Sequence, residues 1–216
     1  MIKACIFDLD GTIGDTRMSM IYSVNEALKE LKLPTLPDEE IVSYVGNGAK
    51  YLVERVAEAV ANPSRFEEIF SAYMKYFSVH CSFGATAYEG IREMLADLKK
   101  EGILLAVLSN KPHEQTKKVI YDMFGDEIFD VVMGQREGIK RKPAPDGVYA
   151  VLEKLHLSKE EVLYIGDSDV DIDTAEAAKV SGVYVSWGFK GREFLEQKGA
   201  KDIIDNPKEV LQFIMK

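Results

Sequence analysis

Residue types that cross-link a chain or bind soft metals are scarce in this sequence of 216 residues. Its only two cysteines, Cys5 and Cys81, lie far apart and outside any C-x-x-C pair, so neither a disulfide framework nor a zinc site is expected. None of the three histidines falls in a motif, and we expect packing or surface roles for His80, His113 and His156.

Long apolar runs are lacking as well. The longest clean apolar stretch, residues 103–108, is far too short to cross a bilayer. Asp8 and Asp10 interrupt the apolar start of the chain, where a signal peptide needs its hydrophobic region. We therefore expect a cytoplasmic protein with no membrane partner.

Positive charge is also in short supply. The net charge is −9 at pH 7, and residues 140–142 form the only dense basic cluster. This balance opposes binding to the phosphate backbone of nucleic acids. A hydrophobic fraction of 46% in a chain of this length can bury one substantial core, or one core and a small satellite domain. We therefore predict a globular protein that does not bind nucleic acid.

What is present is an alternation of short apolar runs with helical patterns. Strand signals lie at residues 2–7, 103–108, 129–133, 162–165, 182–186 and, weakly, 202–204. Helical patterns lie at residues 90–102, 114–124, 146–157, 171–181, 191–199 and 207–216. The alternation predicts an α/β fold, a Rossmann-like parallel sheet with helices on both faces.

One segment interrupts the alternation. Residues 15–83 contain four helical patterns and no convincing strand. They could belong to the layers of the sheet, but a segment of this length exceeds an ordinary crossover. We therefore predict a small four-helix domain at 15–83, inserted into a core formed by residues 1–14 and 84–216.

The most unusual stretch places four aspartates at alternate positions, Asp167, Asp169, Asp171 and Asp173. An EF-hand calcium loop is excluded, because neither register supplies Gly at the sixth position and Glu at the twelfth. The segment instead has the pattern of a strand, a tight turn and a helix. On a helix, residues four apart share a face, so Asp167 and Asp171 can converge while Asp169 and Asp173 point elsewhere. The alternative is that all four only complement the helix dipole.

Polar side chains follow several predicted strands where those strands end. In an open parallel sheet these ends meet at one edge, where ligands bind. The set comprises carboxylates, a hydroxyl, an amide and an ammonium, from Asp8, Asp10, Ser109, Asn110, Lys142 and Asp167. Each residue alone has an ordinary structural explanation as part of a turn, a helix cap or a solvated lysine. Together they indicate a ligand-binding site.

Each of these groups has a use if the substrate is a phosphate monoester. Asp8 can attack phosphorus, and Asp10 can protonate the departing alkoxide and later activate water. A divalent cation between Asp8 and Asp167 would hold the phosphoryl group beside an anionic nucleophile, and oxygen ligands favour Mg²⁺. Ser109 and Asn110 can donate hydrogen bonds to the transferring oxygens. Lys142 can offset the developing negative charge. Gly11 lets the chain turn away after Asp10.

Four motifs in this order resemble those of the haloacid dehalogenase superfamily, specifically its phosphatases with a helical cap after the first motif. They are "DLDGT" (8–12), "LSNK" (108–111), "RKPAP" (141–145) and "GDSDVD" (166–171). The resemblance implies a Mg²⁺-dependent phosphatase that forms an aspartyl phosphate on Asp8. It implies that the Asp10 carbonyl also binds Mg²⁺, that Gly11 and Thr12 help to bind phosphate, and that Asp171 supports the site without contacting the metal.

Residues 39–56 are similar to the cap segment of bacterial phosphoglycolate phosphatases. This similarity implies that Asn47, aided by Lys50 or Arg17, closes over a small phosphorylated metabolite, with phosphoglycolate favoured. The alternative is that Gly-Asn-Gly (46–48) merely turns between two helices. Nothing in the sequence distinguishes a monomer from a homodimer.

Other functions stay open at this point. The same fold serves pyrophosphatases, sugar-phosphate phosphatases and mutases similar to β-phosphoglucomutase, although this chain has Met20 where such mutases carry a histidine. A phosphoacceptor signalling module also combines acidic residues, a hydroxyl, a lysine and Mg²⁺. The pairing of a nucleophile candidate with an acid/base in one motif favours turnover over signalling.

Overall fold

A computed structural model describes residues 1–214 and separates the chain into two compact units. The first comprises Met1–Asp15 together with the described part of Thr86–Lys216, and the second is Thr16–Ala85. The helical pattern predicted at 207–216 is a 3-10 helix at Pro207–Phe213, and the last two residues of that pattern lie outside the described residues.

The first unit is built on a six-stranded sheet in the order β5-β4-β1-β6-β7-β8. Every pairing in this sheet is parallel, which confirms the predicted fold class. The strands are β1 (Ala4–Phe7), β4 (Leu104–Pro112), β5 (Val131–Gln135), β6 (Val162–Gly166), β7 (Ser181–Val185) and β8 (Ile203–Ile204).

The first strand lies at the centre because it is apolar on both sides. All four of its residues are fully buried, as expected for a strand covered on both faces. Phe7 pairs with Val107 of β4 and with Ile165 of β6. With this register β1 and β6 end at nearly one level, at Phe7 and Gly166, while β4 continues to Pro112. The residues after β1 and β6 therefore meet the last residues of β4 at a single edge of the sheet.

Five helices belong to this unit. They are α5 (Ile91–Lys100), α6 (His113–Phe124), α7 (Asp146–Leu155), α8 (Asp169–Ala178) and α9 (Gly191–Gln197). Helices α7 and α8 contribute Val148, Val151 and Ala175 to a buried cluster that also contains Ile6 of β1. A further 3-10 turn, Lys159–Glu161, leads into β6.

Helix α8 begins two residues earlier than the sequence pattern indicated. The carboxylate of Asp171 accepts a hydrogen bond from the backbone N–H of Ser168 at 3.2 Å, in a capping box. Such a box satisfies donors that the first helical turn leaves unpaired and so extends the helix toward its N-terminus.

A small antiparallel ribbon was not predicted. It consists of β2 (Gly14–Asp15) and β3 (Thr86–Ala87), at the two points where the chain leaves and re-enters this unit. Two residues per strand are too few for a period of two to be visible in the sequence.

The second unit is helical. Its helices are α1 (Arg17–Glu30), α2 (Asp38–Ser43), α3 (Gly48–Ala59) and α4 (Phe66–His80), with a 3-10 turn at Pro63–Arg65. Helices α1 and α4 bury Leu28, Ile69, Tyr73 and Phe77, and the two aromatic rings stack with centroids 5.0 Å apart. No helix in the described part of the chain is long and apolar enough to span a membrane.

The central position of β1 makes Ile6 a sensitive test of the core. The side chain of Ile6 is fully buried. Ile6→Ala should lower the free energy of unfolding by about 2–5 kcal/mol, because it removes buried apolar atoms and leaves a cavity. Ile6→Val should lower it by only about 0.5–1.5 kcal/mol. Urea unfolding followed by circular dichroism measures both changes, and equal losses in the two variants would contradict this packing.

Candidate active site

The site forms at the edge where β1, β4 and β6 end, around the ammonium of Lys142. Its Nζ lies 2.8 Å from Asp8 Oδ1 and 2.8 Å from Asp171 Oδ1. Lys142 and Asp171 are almost completely buried, and Asp8 is only 7% exposed. The sequence predicted that Asp8 and Lys142 share a site, and the structure brings them into direct contact.

A third partner of Lys142 is Tyr164, in the middle of β6. Its hydroxyl accepts a hydrogen bond from Lys142 Nζ at 3.1 Å and donates one to Asp171 Oδ1 at 2.8 Å. The side chain is fully buried. Sequence reasoning missed Tyr164, because an aromatic residue inside a strand is ordinary. The available signal was that a buried tyrosine hydroxyl needs a polar partner.

Asp171 is held by donors on both oxygens. Besides the contacts of Oδ1, its Oδ2 accepts hydrogen bonds from the backbone N–H of Asp167 and Ser168, each at 3.2 Å, and from Ser168 Oγ at 2.6 Å. The carboxylate thus ties the start of α8 to Lys142. These contacts are the basis for the supporting role predicted for Asp171, which stays a prediction.

Asp167 faces the turn that follows β1. Its Oδ2 accepts a hydrogen bond from the backbone N–H of Phe189 at 2.8 Å, and Thr12 Oγ1 lies 3.5 Å from its Oδ1. Gly11 has a φ of +92°, and a Cβ at this position would overlap the Asp167 carboxylate. Glycine is therefore required at 11 both for the backbone conformation and for this close approach.

The other two aspartates of the stretch lie outside this network. Asp169 is partly exposed, with Oδ2 at 3.9 Å from Lys198 Nζ, and Asp173 is exposed. Of the four alternating aspartates, Asp167 and Asp171 therefore lie within the site. Asp169 and Asp173 lie on the helix surface.

The loop after β7 closes one side of the site. Trp187 Nε1 donates a hydrogen bond to the backbone carbonyl of Thr12 at 3.0 Å. Gly188 packs so closely against Asp167 that a Cβ there would overlap it. Sequence reasoning assigned this loop no part in the site, because its contacts are with residues far away in the chain.

The motif "LSNK" (108–111) was expected at the end of a strand at 103–108, but it lies inside β4, which continues to Pro112, and it serves the backbone as well as the site. Asn110 Oδ1 accepts a hydrogen bond from the backbone N–H of Lys142 at 2.8 Å, and its Nδ2 donates to the Lys142 carbonyl at 3.0 Å. Ser109 Oγ accepts from the backbone N–H of Lys111 at 3.2 Å. Asn110 thus positions Lys142, a role that the sequence did not indicate. Direct contacts of Ser109 and Asn110 with a phosphate stay predictions.

Asp10 is paired with a second lysine. Lys111 Nζ lies 2.9 Å from Asp10 Oδ1, and the Lys111 side chain is only 1% exposed. Sequence reasoning assigned no role to Lys111, although it is the last residue of "LSNK".

The residues predicted in the helical unit lie near helix beginnings. Arg17 is the first residue of α1, Asn47 immediately precedes α3, and Lys50 is exposed in the first turn of α3. Gly46 and Gly48 have φ values of +120° and +82°, which make Gly-Asn-Gly a tight turn between α2 and α3. Contacts of Arg17, Asn47 and Lys50 with a substrate stay predictions.

The carboxylates of this site have the character of a metal centre. Asp8, Asp167 and Asp171 each offer an oxygen, and these oxygens lie within 4.8 Å of one another. Burial, with the nearby charges of Asp171 and Asp10, raises the pKa of Asp8 to about 7 against the opposing effect of Lys142. Burial and the charges of Asp171 and Asp8 also raise the pKa of Asp167 well above its usual range.

The raised pKa values of Asp8 and Asp167 come first from burial and then from the repulsion between neighbouring carboxylates. Burial alone would lower the pKa of Lys142, but Asp171 and Asp8 outweigh it and hold that pKa well above its usual value. One ammonium among three carboxylates leaves the group anionic, and hard oxygen donors suit Mg²⁺. The residues present therefore fit a divalent cation.

Comparison with known proteins places this geometry in a family. The family model described as "Haloacid dehalogenase-like hydrolase" matches residues 5–185. The chain belongs to the haloacid dehalogenase-like hydrolases. The resemblance carried by the four motifs is thereby confirmed, and the match spans both the strands and the helical unit between them.

Several members of the family resemble the chain along nearly its whole length. The phosphoglycolate phosphatase of Pectobacterium atrosepticum is 29% identical over 216 residues, which cover 99% of this chain and 92% of that protein. A Caldanaerobacter subterraneus protein named "Putative pyrophosphatase PpaX" is 32% identical, with 99% and 94% covered. The solved structure of a predicted phosphoglycolate phosphatase from Haemophilus somnus 129pt superimposes with a TM-score of 0.90 at 26% identity, with 99% and 98% covered.

Replacing Asp171 should destabilise this hydrolase. Asp171→Asn removes a buried charge that pairs with Lys142, so we expect the free energy of unfolding to fall by about 2–4 kcal/mol in the absence of metal. Asp173→Asn, on the exposed side of the same helix, is the matched control and should change it by less than about 0.5 kcal/mol. Denaturant titration measures the free energy of unfolding of both variants. Similar losses in the two would contradict the buried network around Lys142.

Mg²⁺ binding should be linked to proton release. The pKa of Asp8 is raised to about 7, so below that pH its carboxyl holds a proton that competes with a metal ion. We expect the Mg²⁺ affinity to fall roughly tenfold from about pH 8 to about pH 6. Trp187, the only tryptophan, adjoins the Asp167 loop and provides a fluorescence readout. An affinity that does not change with pH would contradict the assignment of Asp8 as a ligand.

Proposed function

We propose that this protein is a Mg²⁺-dependent phosphatase that hydrolyses a small phosphate monoester through an aspartyl phosphate, with phosphoglycolate as the favoured substrate. The observation that carries the proposal is the contact of 2.8 Å between the buried Lys142 ammonium and Asp8. This contact supports the proposal because a nucleophilic carboxylate that attacks a phosphate ester needs a cation beside it, and ligands bind at this edge of a parallel sheet.

In the first step, Asp8 attacks the phosphorus of the bound ester. A bond forms between an Asp8 carboxylate oxygen and phosphorus while the bond from phosphorus to the ester oxygen breaks. Lys142 lies within hydrogen-bonding distance of Asp8 Oδ1 and offsets the charge on the transferring oxygens. Tyr164 and Asp171 hold Lys142 in this position.

Asp10 serves as acid and then as base. It gives a proton to the departing alkoxide in the first step, which releases the alcohol. It then takes a proton from a water molecule that attacks the phosphorus of the aspartyl phosphate. Inorganic phosphate leaves, and Asp8 is regenerated as a carboxylate.

Asp8, Asp167 and the backbone carbonyl of Asp10 would hold the metal. A divalent cation held there would offset the negative charge of the phosphoryl group. Asp171 helps to orient Asp167 through the hydrogen bond that its Oδ2 accepts from the Asp167 backbone N–H.

We further propose that the helical unit, Thr16–Ala85, acts as a cap that selects the substrate, and that Met1–Asp15 with the rest of the chain is the phosphatase core. Arg17, Asn47 and Lys50 are its proposed substrate contacts. The name of the Pectobacterium relative supports phosphoglycolate as the substrate. The name of the Caldanaerobacter relative supports inorganic pyrophosphate as a second candidate.

Substitution of the nucleophile tests the mechanism. Asp8→Asn should reduce phosphate release at least about a thousandfold, because an amide does not form the covalent intermediate. The control Asp169→Asn changes a partly exposed aspartate at the start of α8 and should retain most of the activity. Circular dichroism confirms that both variants fold. Substantial turnover by a folded Asp8→Asn protein would remove Asp8 from this role.

A panel of substrates tests the rest of the proposal. We expect multiple turnovers of phosphoglycolate that depend on Mg²⁺, with a kcat/KM above those for pyrophosphate, sugar phosphates and nucleoside monophosphates. A preference for pyrophosphate would favour the second candidate. A long-lived phosphorylated protein without multiple turnovers would instead favour a signalling module.

A further inference from the structure

The proposed chemistry leaves one buried cation of the site without a task. Lys111 is as deeply buried as Lys142, and its Nζ lies 2.9 Å from Asp10 Oδ1. In the surface ion pairs of this protein the lysine side chains are far more exposed, for example 60% for Lys29 with Glu26 and 47% for Lys118 with Asp122. A lysine is rarely buried to this degree unless its charge is used.

The backbone at Lys111 is held in place by its neighbours. Its N–H donates to Ser109 Oγ at 3.2 Å, and its carbonyl accepts a hydrogen bond from Thr116 Oγ1 of α6 at 3.1 Å. Gly134 of β5 packs so closely that a Cβ there would lie 2.6 Å from this carbonyl. The backbone that carries this side chain is therefore rigid, and the ammonium itself is buried rather than solvated.

We propose that Lys111 determines substrate specificity, by binding a carboxylate on the leaving group of the phosphate ester. The inference rests on the proposed function, in which Asp10 approaches the ester oxygen. Lys111 Nζ forms an ion pair with Asp10, 2.9 Å from its Oδ1. A carboxylate on the carbon next to the ester oxygen is within reach of the same ammonium, which has three N–H donors.

The charges around the site make such a cation necessary. Asp8, Asp167 and Asp171 repel a substrate carboxylate, and the chain as a whole carries −9. Lys142 already contacts two of these carboxylates. A second ammonium beside Asp10 gives a carboxylated leaving group a charge-assisted hydrogen bond that an uncharged leaving group does not make.

A pair of substrates of similar size tests this inference. Phosphoglycolate carries a carboxylate where ethylene glycol monophosphate carries a hydroxymethyl group. We expect the wild-type kcat/KM to be at least tenfold higher for phosphoglycolate, and Lys111→Met to reduce that ratio at least tenfold, chiefly through the KM for phosphoglycolate. Lys111→Arg should restore part of the ratio, because it restores the charge. Lys117→Met removes one exposed lysine of α6 and is the matched control, for which the ratio should be unchanged.

The ratio of the two kcat/KM values distinguishes a lysine that binds the substrate carboxylate from one that only positions Asp10. If Lys111 only holds Asp10, both esters lose activity equally in Lys111→Met and the ratio stays constant, which would overturn the inference. Equal wild-type kcat/KM values for the two esters would overturn it without any variant, so the test does not depend on the folding of Lys111→Met. Wild-type hydrolysis of p-nitrophenyl phosphate with no preference between the two esters would leave the proposed phosphatase standing and remove only the role of Lys111. A folded protein that hydrolyses no phosphate ester would overturn the proposed function, and this inference with it.

Discussion

The buried ammonium of Lys142 is the interaction on which the rest of the site depends. It lies between Asp8 and Asp171, each at 2.8 Å, and it contacts the hydroxyl of Tyr164. Without this cation, the buried carboxylates of Asp8, after β1, and Asp171, in α8, would face one another without an opposite charge between them. The negative charge that remains makes these residues fit a divalent cation.

Much of the surrounding structure serves to hold Lys142 where it is. The Asn110 side chain hydrogen-bonds with both the backbone N–H and the carbonyl of Lys142. Asp171, in the first turn of α8, forms an ion pair with the Lys142 ammonium. Gly11 allows the turn that follows β1 to pack against Asp167. The same few residues therefore set both the local fold and the charge distribution, so substitutions in the site should alter stability and chemistry together.

The strands of the six-stranded sheet and most helices were predictable because they depend on periodicity. An apolar run such as residues 4–7 can only be a central strand in an alternating α/β pattern, and the structure confirms it. The roles of Tyr164 and Lys111 were not predictable in the same way. Each depends on a contact with a residue far away in the chain, and neither residue type is unusual at its place in a strand.

The sequence by itself determined the fold class, the family and the set of polar residues that follow the strands, because periodicity and motif order are local properties of the chain. Only the tertiary structure decided which of those residues touch. The parallel register of β1, β4 and β6 brings their ends to one edge, and packing there separates Asp167 and Asp171 from Asp169 and Asp173. Charge pairing and burial depend on distances across the fold, and the order of residues along the chain does not specify those distances.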